Sequence, residues 1–255
     1  MSLQTGLIHY LFENKILSAD IYYPVFFVAV LTVIAVSYLL GSINSAIIVS
    51  KLVYHDDVRK HGSGNPGTTN MLRTFGKKAA LLTLIGDMAK TAISILIAGT
   101  VFGFYYYYGL SMHDGFCYVA GLFSVLGHVF PIYYNFKGGK GVLSTATMVL
   151  ILSPIPFAVL ILLFIALVAW TKYVSLGSVT AAVLYPVALH ATFGVIGLPE
   201  SGLISLSSIV IAILIVWCHR ANLVRISNKT ENKISFGKKK NKEPVEEDVD
   251  DDDEE

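Results

Sequence analysis

The sequence predicts an all-α, polytopic membrane protein with seven transmembrane helices, an amino terminus outside and a cytoplasmic carboxyl terminus. Composition indicates the class, because 54% of the 255 residues are hydrophobic and only 15% are charged. That balance is too apolar for a soluble domain of this length and suits a bundle of membrane helices. The apolar runs predict the helices, and the positions of lysine and arginine predict their orientation.

Seven apolar stretches follow one another along the chain, and we interpret each as a membrane span. We expect these spans at about 24–50, 79–104, 116–134, 141–153, 155–170, 174–194 and 202–219. The first is long enough to bend near Gly41 and Ser42. Between the fourth and fifth, the sequence Ser153 to Pro156 predicts a tight outer turn, because proline interrupts a helix. Tyr105 to Tyr108 predict an aromatic belt at the outer interface.

Lysine and arginine placement tests this layout independently, because short loops rich in these residues stay on the cytoplasmic side. With the amino terminus outside, all 19 of these residues except Lys15 and Lys90 fall on inner loops or after the last span. The split therefore favours seven spans with the carboxyl terminus inside.

The chain divides into one membrane domain, residues 1–237, and a charged tail, residues 238–255. The tail carries four lysines and ten acidic residues, with almost nothing apolar to bury, so its composition predicts disorder. Cys117 and Cys218 are expected near opposite faces of the membrane. That separation excludes a disulfide between them.

The segment GSGNPGTTN, residues 62–70, is the first polar motif between the apolar runs. Its glycines permit turns that aim successive backbone N–H groups at one point, and Arg73 follows closely. Gly62 and Gly67 superficially frame a nucleotide P-loop, but Thr68 stands at the lysine position and no βαβ context exists. A passive connector is the alternative, although it would not need so many hydroxyl and amide groups. The motif predicts an anion site rather than an ATP site.

The segment GHVFPIYYNFKGGKG, residues 127–141, is the second polar motif. Lys137 and Lys140 bracket a double glycine at the inner end of a span, where two ammonium groups and bare amides can hold a phosphate without a metal. An ordinary positive-inside loop is the alternative. His128, at the end of the same span, is either a packing residue or a proton carrier.

Asp87 and Lys90 lie one helical turn apart inside the second predicted span. Both should face the protein interior, either as a self-satisfied ion pair or as part of a polar cavity, because a lone charge in hydrocarbon is costly. Further along, TKYVSLGS (171–178) and HRANLVR (219–225) each bring a cation together with hydroxyl or amide groups at a helix boundary. They suggest a second anion held on the inner face.

Four segments carry a resemblance to a known family: GSGNPGTTNMLRTFGKKAALL, GHVFPIYYNFKGGKG, TKYVSL and HRANLVRISNKTENKI. In order and spacing they resemble the bacterial integral-membrane acyl-phosphate:glycerol-3-phosphate acyltransferases, the PlsY family. The resemblance extends from about Gly41 to Ile234. Thr68 and Lys172 depart mildly from it, since the family usually has alanine and arginine at those positions. The first twenty residues and the tail match nothing in the pattern.

The resemblance implies a cofactor-free enzyme of the bacterial cytoplasmic membrane whose active site lies on the cytoplasmic side. Such an enzyme transfers a fatty acyl group from acyl phosphate to the 1-hydroxyl of glycerol 3-phosphate, giving lysophosphatidic acid and phosphate. The transfer is direct, without an acyl-enzyme. The implied partners are these two small molecules and membrane lipid, with no metal and no nucleic acid, and the oligomeric state stays open.

The resemblance also implies roles for particular residues. The first motif would wrap the phosphate of the donor through Ser63, Gly64, Asn65, Gly67, Thr68 and Asn70. Glycerol 3-phosphate would be held by Arg73, Lys140, Ser175 and Asn222, with Lys137, Gly138 and Gly139 shaping the site. His128 and His219 are candidate proton acceptors, although the resemblance favours the phosphate of the donor in that role.

Two alternative functions stay open from the residues themselves. A carrier of phosphate or a small organophosphate would also combine broken spans with basic loops, but the polar residues gather at one face and no internal repeat is evident. An acyltransferase that uses a thioester donor would share the attacking half of the reaction. Against it, the sequence offers no adenine or pantetheine pocket that we recognise. The chain also lacks the His-x₄-Asp signature of other glycerolipid acyltransferases and the His/Cys spacing of a zinc site.

Overall fold

The structure is a computed structural model that describes residues 6–103, 115–197 and 200–234. Within these ranges it contains eleven α-helices, two single 3₁₀ turns and no strand, which confirms the predicted all-α class. The helices are α1 (Leu7–Glu13), α2 (Ala19–Ser42), α3 (Ser45–Tyr54), α4 (Thr68–Phe75), α5 (Lys77–Phe102), α6 (Gly115–Val129), α7 (Val142–Leu152), α8 (Pro154–Thr171), α9 (Val174–Ile196), α10 (Gly202–Cys218) and α11 (Arg220–Ser227). The predicted aromatic belt, 105–108, and the charged tail, 238–255, lie outside the described residues.

Among the residues that the structure describes, five helical segments are long and apolar enough to cross a membrane. One is the nearly continuous pair α2 and α3, and the others are α5, α6 with the turn that follows it, α8 and α9. The pair α10 and α11, bent by 52°, adds a sixth if it is counted as one span. α7 has only 11 residues, about 16 Å of helix, against the roughly 30 Å of a bilayer core. The predicted fourth span is therefore a short apolar helix. The described residues support five or six spans, and the predicted seven are not confirmed.

Two predicted breaks are confirmed. α2 ends at Ser42 and α3 begins at Ser45, where the side chain of Asn44 accepts a hydrogen bond from the N–H of Ile47 (3.0 Å). α7 gives way to α8 at Pro154, the first residue of the new helix. Proline suits that position because an N–H in the first turn has no partner within the helix.

The helices form two groups that meet at α6. In the first group α2 packs on α5 and α6, and in the second α9 packs between α8 and α10, while α10 returns to α6. The approach of α2 to α6 is close because both carry glycine at the contact. A Cβ on Gly41 would overlap the backbone of Ser124, and one on Gly127 would overlap the backbone of Tyr38. α7 lies against α5, α6 and α8 and joins the two groups.

The outer surface of the bundle is apolar. Large side chains such as Trp170, Leu162 and Val195 are 82%, 68% and 87% exposed. An aqueous protein rarely exposes so much apolar surface in one band, whereas lipid accepts it without cost. The protein is therefore an integral membrane protein with several apolar helices.

Candidate active site

A cavity of about 400 Å³ lies at the end of the bundle where α4, α7 and α9 begin and α6 and α10 end. It collects residues from all four motifs. The predicted site residues that line it are Ser63, Asn65, Gly67, Thr68, Asn70, Arg73, His128, Lys140, Ser175, His219 and Asn222. Those that do not line it are Gly64, Lys137, Gly138 and Gly139.

Three helix N-termini face this cavity. The residues that begin α4, α7 and α9, namely Thr68, Val142 and Val174, all line it. None of the three N-termini is capped by a side chain. Since the first N–H groups of a helix lack intrahelical acceptors and lie at the positive end of its dipole, the three together favour an anion at this point.

The loop from Gly62 to Gly67 is held in shape by Asn70. The Asn70 side chain accepts a hydrogen bond from the N–H of Ser63 (3.1 Å) and donates to the carbonyls of Val58 (3.2 Å) and His61 (3.0 Å). Gly62 adopts a φ of 59° directly against that side chain, where a Cβ would overlap Asn70. Asn70 therefore fixes the loop through bonds that already use its amide group.

Arg73 and Thr68 bring unused polar groups to the cavity. Within the described residues, Arg73 has no ion pair, whereas the nearby Arg59 is held by Asp57 at 2.6 Å. Thr68 Oγ1 is buried and has no hydrogen-bond partner in the described part of the chain, and the same is true of Thr145 Oγ1 on α7. One cation and two hydroxyls are thus available to a ligand.

The double glycine of the second motif differs from the prediction. Its N–H groups are not bare: Gly138 donates to the carbonyl of Val129 (3.2 Å) and Gly139 to that of His128 (3.1 Å). A Cβ on either glycine would overlap His128. The glycines therefore let the loop fold back onto the end of α6, and this folding brings Lys140, not Lys137, to the cavity.

Asp87, Lys90 and His128 form a buried polar cluster beneath the loop. Lys90 Nζ lies 2.9 Å from Asp87 Oδ1 and 2.9 Å from His128 Nδ1, and it donates to the carbonyl of Ile43 (2.8 Å). The Asp87 and Lys90 side chains are 2% and 4% exposed, so the predicted inward pairing is confirmed. The cluster ties α5 to α6 and to the α2–α3 break, with each charge compensated inside the membrane region.

The two candidate histidines differ in their hydrogen bonds. Lys90 is only a donor, so His128 Nδ1 accepts and its Nε2, which faces Gly139, carries the proton. His219 is the reverse, because its Nδ1 donates to the carbonyl of Ile215 (2.8 Å) and leaves Nε2 as an acceptor. Of the two histidines, only His219 therefore has a ring nitrogen free to accept a proton from a molecule in the cavity.

A second cluster contains Glu231, for which the sequence predicted no role. Its carboxylate accepts from Ser175 Oγ (2.7 Å), Asn222 Nδ2 (2.6 Å) and Arg225 Nε (2.8 Å). Lys140 Nζ donates to Asn222 on the other side. Burial alone would raise the pKa of Glu231, but these three hydrogen bonds outweigh it and lower the pKa, so the carboxyl stays ionised.

Lys140 is affected by the same surroundings. Burial lowers the pKa of its ammonium, and the negative charge of Glu231 opposes that shift. Glu231 lies in the quoted segment HRANLVRISNKTENKI, which was the only sequence signal for it. The structure brings it to the cavity because the segment after α11 turns back, where the N–H of Ile234 donates to the carbonyl of Lys172 (2.9 Å).

The remainder of the cavity is apolar and runs between α7, α8 and α9. Its walls include Val149, Phe157, Leu160, Phe164 and Tyr185. One continuous space therefore has cations and helix N-termini at one end and aliphatic and aromatic side chains at the other. Such a space accepts a molecule with an anionic head and a hydrocarbon chain.

Comparison with known proteins identifies relatives of this chain. The profile of the glycerol-3-phosphate acyltransferase family matches residues 31–229. Glycerol-3-phosphate acyltransferase 3 of Bacillus anthracis is 40% identical over 204 residues, 80% of this chain and 94% of the relative. Glycerol-3-phosphate acyltransferase of Streptococcus thermophilus is 36% identical over 211 residues, 82% and 94% of the two chains.

Solved structures give the same result. The crystal structure of PlsY, an integral membrane glycerol 3-phosphate acyltransferase, in its glycerol 3-phosphate form superposes with a TM-score of 0.71 at 33% identity, covering 81% of this chain and 96% of that one. Its lysophosphatidic acid form gives 0.69 at 32% identity, covering 81% and 95%. With a family profile and curated relatives that each match most of its length, this chain belongs to the glycerol-3-phosphate acyltransferase family.

Proposed function

We propose that this protein transfers a fatty acyl group from acyl phosphate to the 1-hydroxyl of glycerol 3-phosphate, giving lysophosphatidic acid and phosphate. Family membership supports acyl transfer to glycerol 3-phosphate. The two forms in which the related PlsY was solved, with glycerol 3-phosphate and with lysophosphatidic acid, support the same acceptor and product.

The observation that carries the proposal is the polarity of this cavity, which changes from one end to the other. Acyl phosphate has a phosphate at one end and an alkyl chain at the other, and the cavity has the same order of chemistry. In the proposed complex the donor phosphate meets the Gly62 to Gly67 loop and the N-terminus of α4. Glycerol 3-phosphate lies against Lys140, Ser175 and Asn222, with Arg73 between the two phosphates.

The chemistry then needs orientation and charge stabilisation more than a nucleophilic side chain. The 1-hydroxyl oxygen attacks the acyl carbonyl carbon, so that a new C–O bond forms. The bond from that carbon to the bridging phosphate oxygen breaks, and phosphate leaves with the electron pair. Held cations and N–H groups stabilise the negative charge that develops on the carbonyl and phosphate oxygens.

The proton of the attacking hydroxyl goes to an oxygen of the departing phosphate in this scheme. A non-bridging oxygen of that phosphate is anionic and can reach the attacking hydroxyl, because only the bridging oxygen and the phosphorus separate it from the acyl carbon. His219 is the alternative acceptor, because its Nε2 is not used by the backbone bond that Nδ1 makes. His128 is assigned a positioning role, since Lys90 already occupies its accepting nitrogen.

The test is to purify the protein in detergent and offer glycerol 3-phosphate with palmitoyl phosphate, palmitoyl-CoA or palmitoyl carrier protein in parallel. We expect lysophosphatidic acid only with palmitoyl phosphate. Equal or greater turnover with either thioester would overturn the proposed donor. Uptake of phosphate by reconstituted vesicles, without acyl transfer from any donor, would instead select a carrier.

A further inference from the structure

We propose that the closed apolar end of the cavity limits the length of the acyl chain, and that Tyr185, Phe157 and Val149 set this limit. This inference rests on the proposed function, because it assigns that end of the cavity to the acyl group of the donor. It adds a specificity determinant to the same site.

The depth of the cavity follows from the face of α9 that lines it. Ser175, Ser178, Ala182 and Tyr185 all line the cavity, and they recur every three or four residues along one side of the helix. From Ser175 at the polar end to Tyr185 is ten residues, or about 15 Å along the helix axis. The cavity therefore penetrates well into the apolar part of the bundle.

The other two walls reach the same depth. α7 runs away from the polar end, and the last of its residues to line the cavity is Val149. α8 runs toward the polar end, so its first lining residue, Phe157, is the deepest. Tyr185, Phe157 and Val149 are thus the deepest lining residues of their helices. Val149 and Tyr185 belong to one buried apolar cluster and Phe157 packs against it, so we call these three residues the floor of the cavity.

The floor is closed from behind. At the turn between α7 and α8, the hydroxyl of Tyr118 lies 2.8 Å from Ser153 Oγ and donates to the carbonyl of Leu152 (3.0 Å). One turn beyond Tyr185 on α9, Leu189 is only 2% exposed and belongs to the same core. A chain that reaches Tyr185 therefore meets packed side chains and a hydrogen-bonded turn rather than open lipid.

A closed end has a distinct effect on specificity. Each methylene that enters apolar space should raise kcat/KM by about fourfold, equivalent to about 0.8 kcal/mol. Once the chain touches the floor, one further methylene must displace packed atoms and should lower kcat/KM by about tenfold or more. A groove open to lipid would instead give a plateau with increasing length.

The experiment measures kcat/KM for acyl phosphates of increasing even chain length, with wild type and four variants. We expect a sharp maximum for wild type, a shift to longer chains in Tyr185→Ala and Phe157→Ala, and a shift to shorter chains in Val149→Phe. Leu162→Ala, on the lipid-facing side of α8, is the matched control and should keep the wild-type maximum.

The outcomes separate this inference from the proposed function. The length limit would be overturned, and the reaction left intact, if wild-type kcat/KM reached a plateau with increasing chain length. The same holds if Tyr185→Ala, Phe157→Ala and Val149→Phe all keep the wild-type maximum. No turnover by folded wild type with any acyl phosphate would overturn the reaction, and the length limit with it. If Tyr185→Ala does not fold, Phe157→Ala and Val149→Phe still test the limit in opposite directions.

Discussion

Arg73 and Lys140 are the two cations of the cavity that have no carboxylate partner in an ion pair within the described residues. Arg225, which also lines the cavity, is paired with Glu231, and Lys90, which is buried and does not line it, is paired with Asp87. A phosphate that entered the cavity would meet the two unpaired charges first, since the other two are already compensated. The positive charge relevant to substrate binding is therefore confined to two side chains.

Arg73→Ala and Lys140→Ala should each lower kcat/KM for glycerol 3-phosphate by about 10- to 100-fold, since a hydrogen bond to a charged group contributes about 1.5–3 kcal/mol. Steady-state assays in detergent measure this, and thermal unfolding checks that the fold is retained. Lys77→Ala, an exposed lysine at the start of α5 outside the cavity, is the control and should behave as wild type. Wild-type turnover by Arg73→Ala would remove Arg73 from the site.

Glu231 gives a prediction that depends on pH. Its folded-state pKa lies below the ordinary value of 4.5, because the hydrogen bonds it accepts outweigh burial. The ionised carboxylate therefore stabilises the fold above that value, and the contribution is lost as pH falls through the lowered pKa. Glu231→Gln should lose about 1.5–3 kcal/mol of unfolding free energy at neutral pH, roughly one hydrogen bond to a charged group.

The measurement is the melting temperature of wild type and Glu231→Gln across a pH series. The difference between the two should be largest near neutral pH and should shrink below pH 4.5. Glu13→Gln, which removes a carboxylate paired with the exposed His9, is the control and should change little at any pH. A difference that stays constant down to acidic pH would contradict the assigned ionisation.

At the residue level, sequence reasoning identified the cations and hydroxyls but not which amides were free. Spacing placed Gly138 and Gly139 beside lysines, and this made them look like phosphate ligands. Whether their N–H groups are free depends on how the loop folds, and the structure uses them to bind α6. Glu231 had no assigned role for a related reason, because a carboxylate among anion ligands is chemically unexpected until its three donors are seen.

The elements of the site depend on a loop that folds tightly against the end of α6. A Cβ added to Gly139 would overlap His128 Nε2. On its other side, the His128 ring is held by Lys90, which contacts Nδ1. The ring therefore has little freedom to move aside. The buried cluster beneath the loop and the loop itself act together to hold Lys140 at the cavity.

Gly139→Ala should lower turnover by about 100-fold, because displacing the loop by about 1 Å misplaces Lys140 relative to both substrates. Turnover with saturating palmitoyl phosphate and glycerol 3-phosphate measures the effect. Gly194→Ala is the matched control, since a Cβ there meets no atom within 4 Å, and it should leave turnover unchanged. Full activity in Gly139→Ala would mean that the loop tolerates the added methyl group.

Most elements were predictable because hydrophobic length and proline placement are local signals. The α2–α3 break and the start of α8 at Pro154 followed from them. The bounds of α7 followed as well, since the span expected at 141–153 is a helix over Val142–Leu152, but its 11 residues are short against a bilayer core. Whether an apolar segment spans the bilayer depends on where the helix starts, and here the returning loop that carries Lys140 takes up the residues before it.

The whole molecule combines a lipid-facing surface with one polar end. The cavity, the loop of the first motif and the turn before α7 lie at the same end of the bundle. Most lysines and arginines of the chain are close in sequence to residues at that end. No lysine or arginine occurs in α9 (Val174–Ile196), which carries His190 near its other end. By the positive-inside rule, the cavity should face the cytoplasm.

Cysteine labelling tests this orientation. In a background of Cys117→Ala and Cys218→Ala, single cysteines replace Ser63, Lys137 or His190, each of which is exposed. We expect a membrane-impermeant maleimide to label the first two only in inside-out vesicles and the third in intact cells. This follows because basic loops are retained on the cytoplasmic side, and a charged, membrane-impermeant reagent does not cross the hydrocarbon core.

The pattern of labelling distinguishes two kinds of error. If Ser63→Cys and Lys137→Cys both react in intact cells, the bundle is inverted and the cavity still holds together, but its substrates would have to come from outside. If the two react from opposite faces, the loop of the first motif and the turn that carries Lys140 cannot share one cavity. In that case direct transfer between two phosphorylated substrates would lose its structural basis, because the donor and the acceptor could not be held in contact.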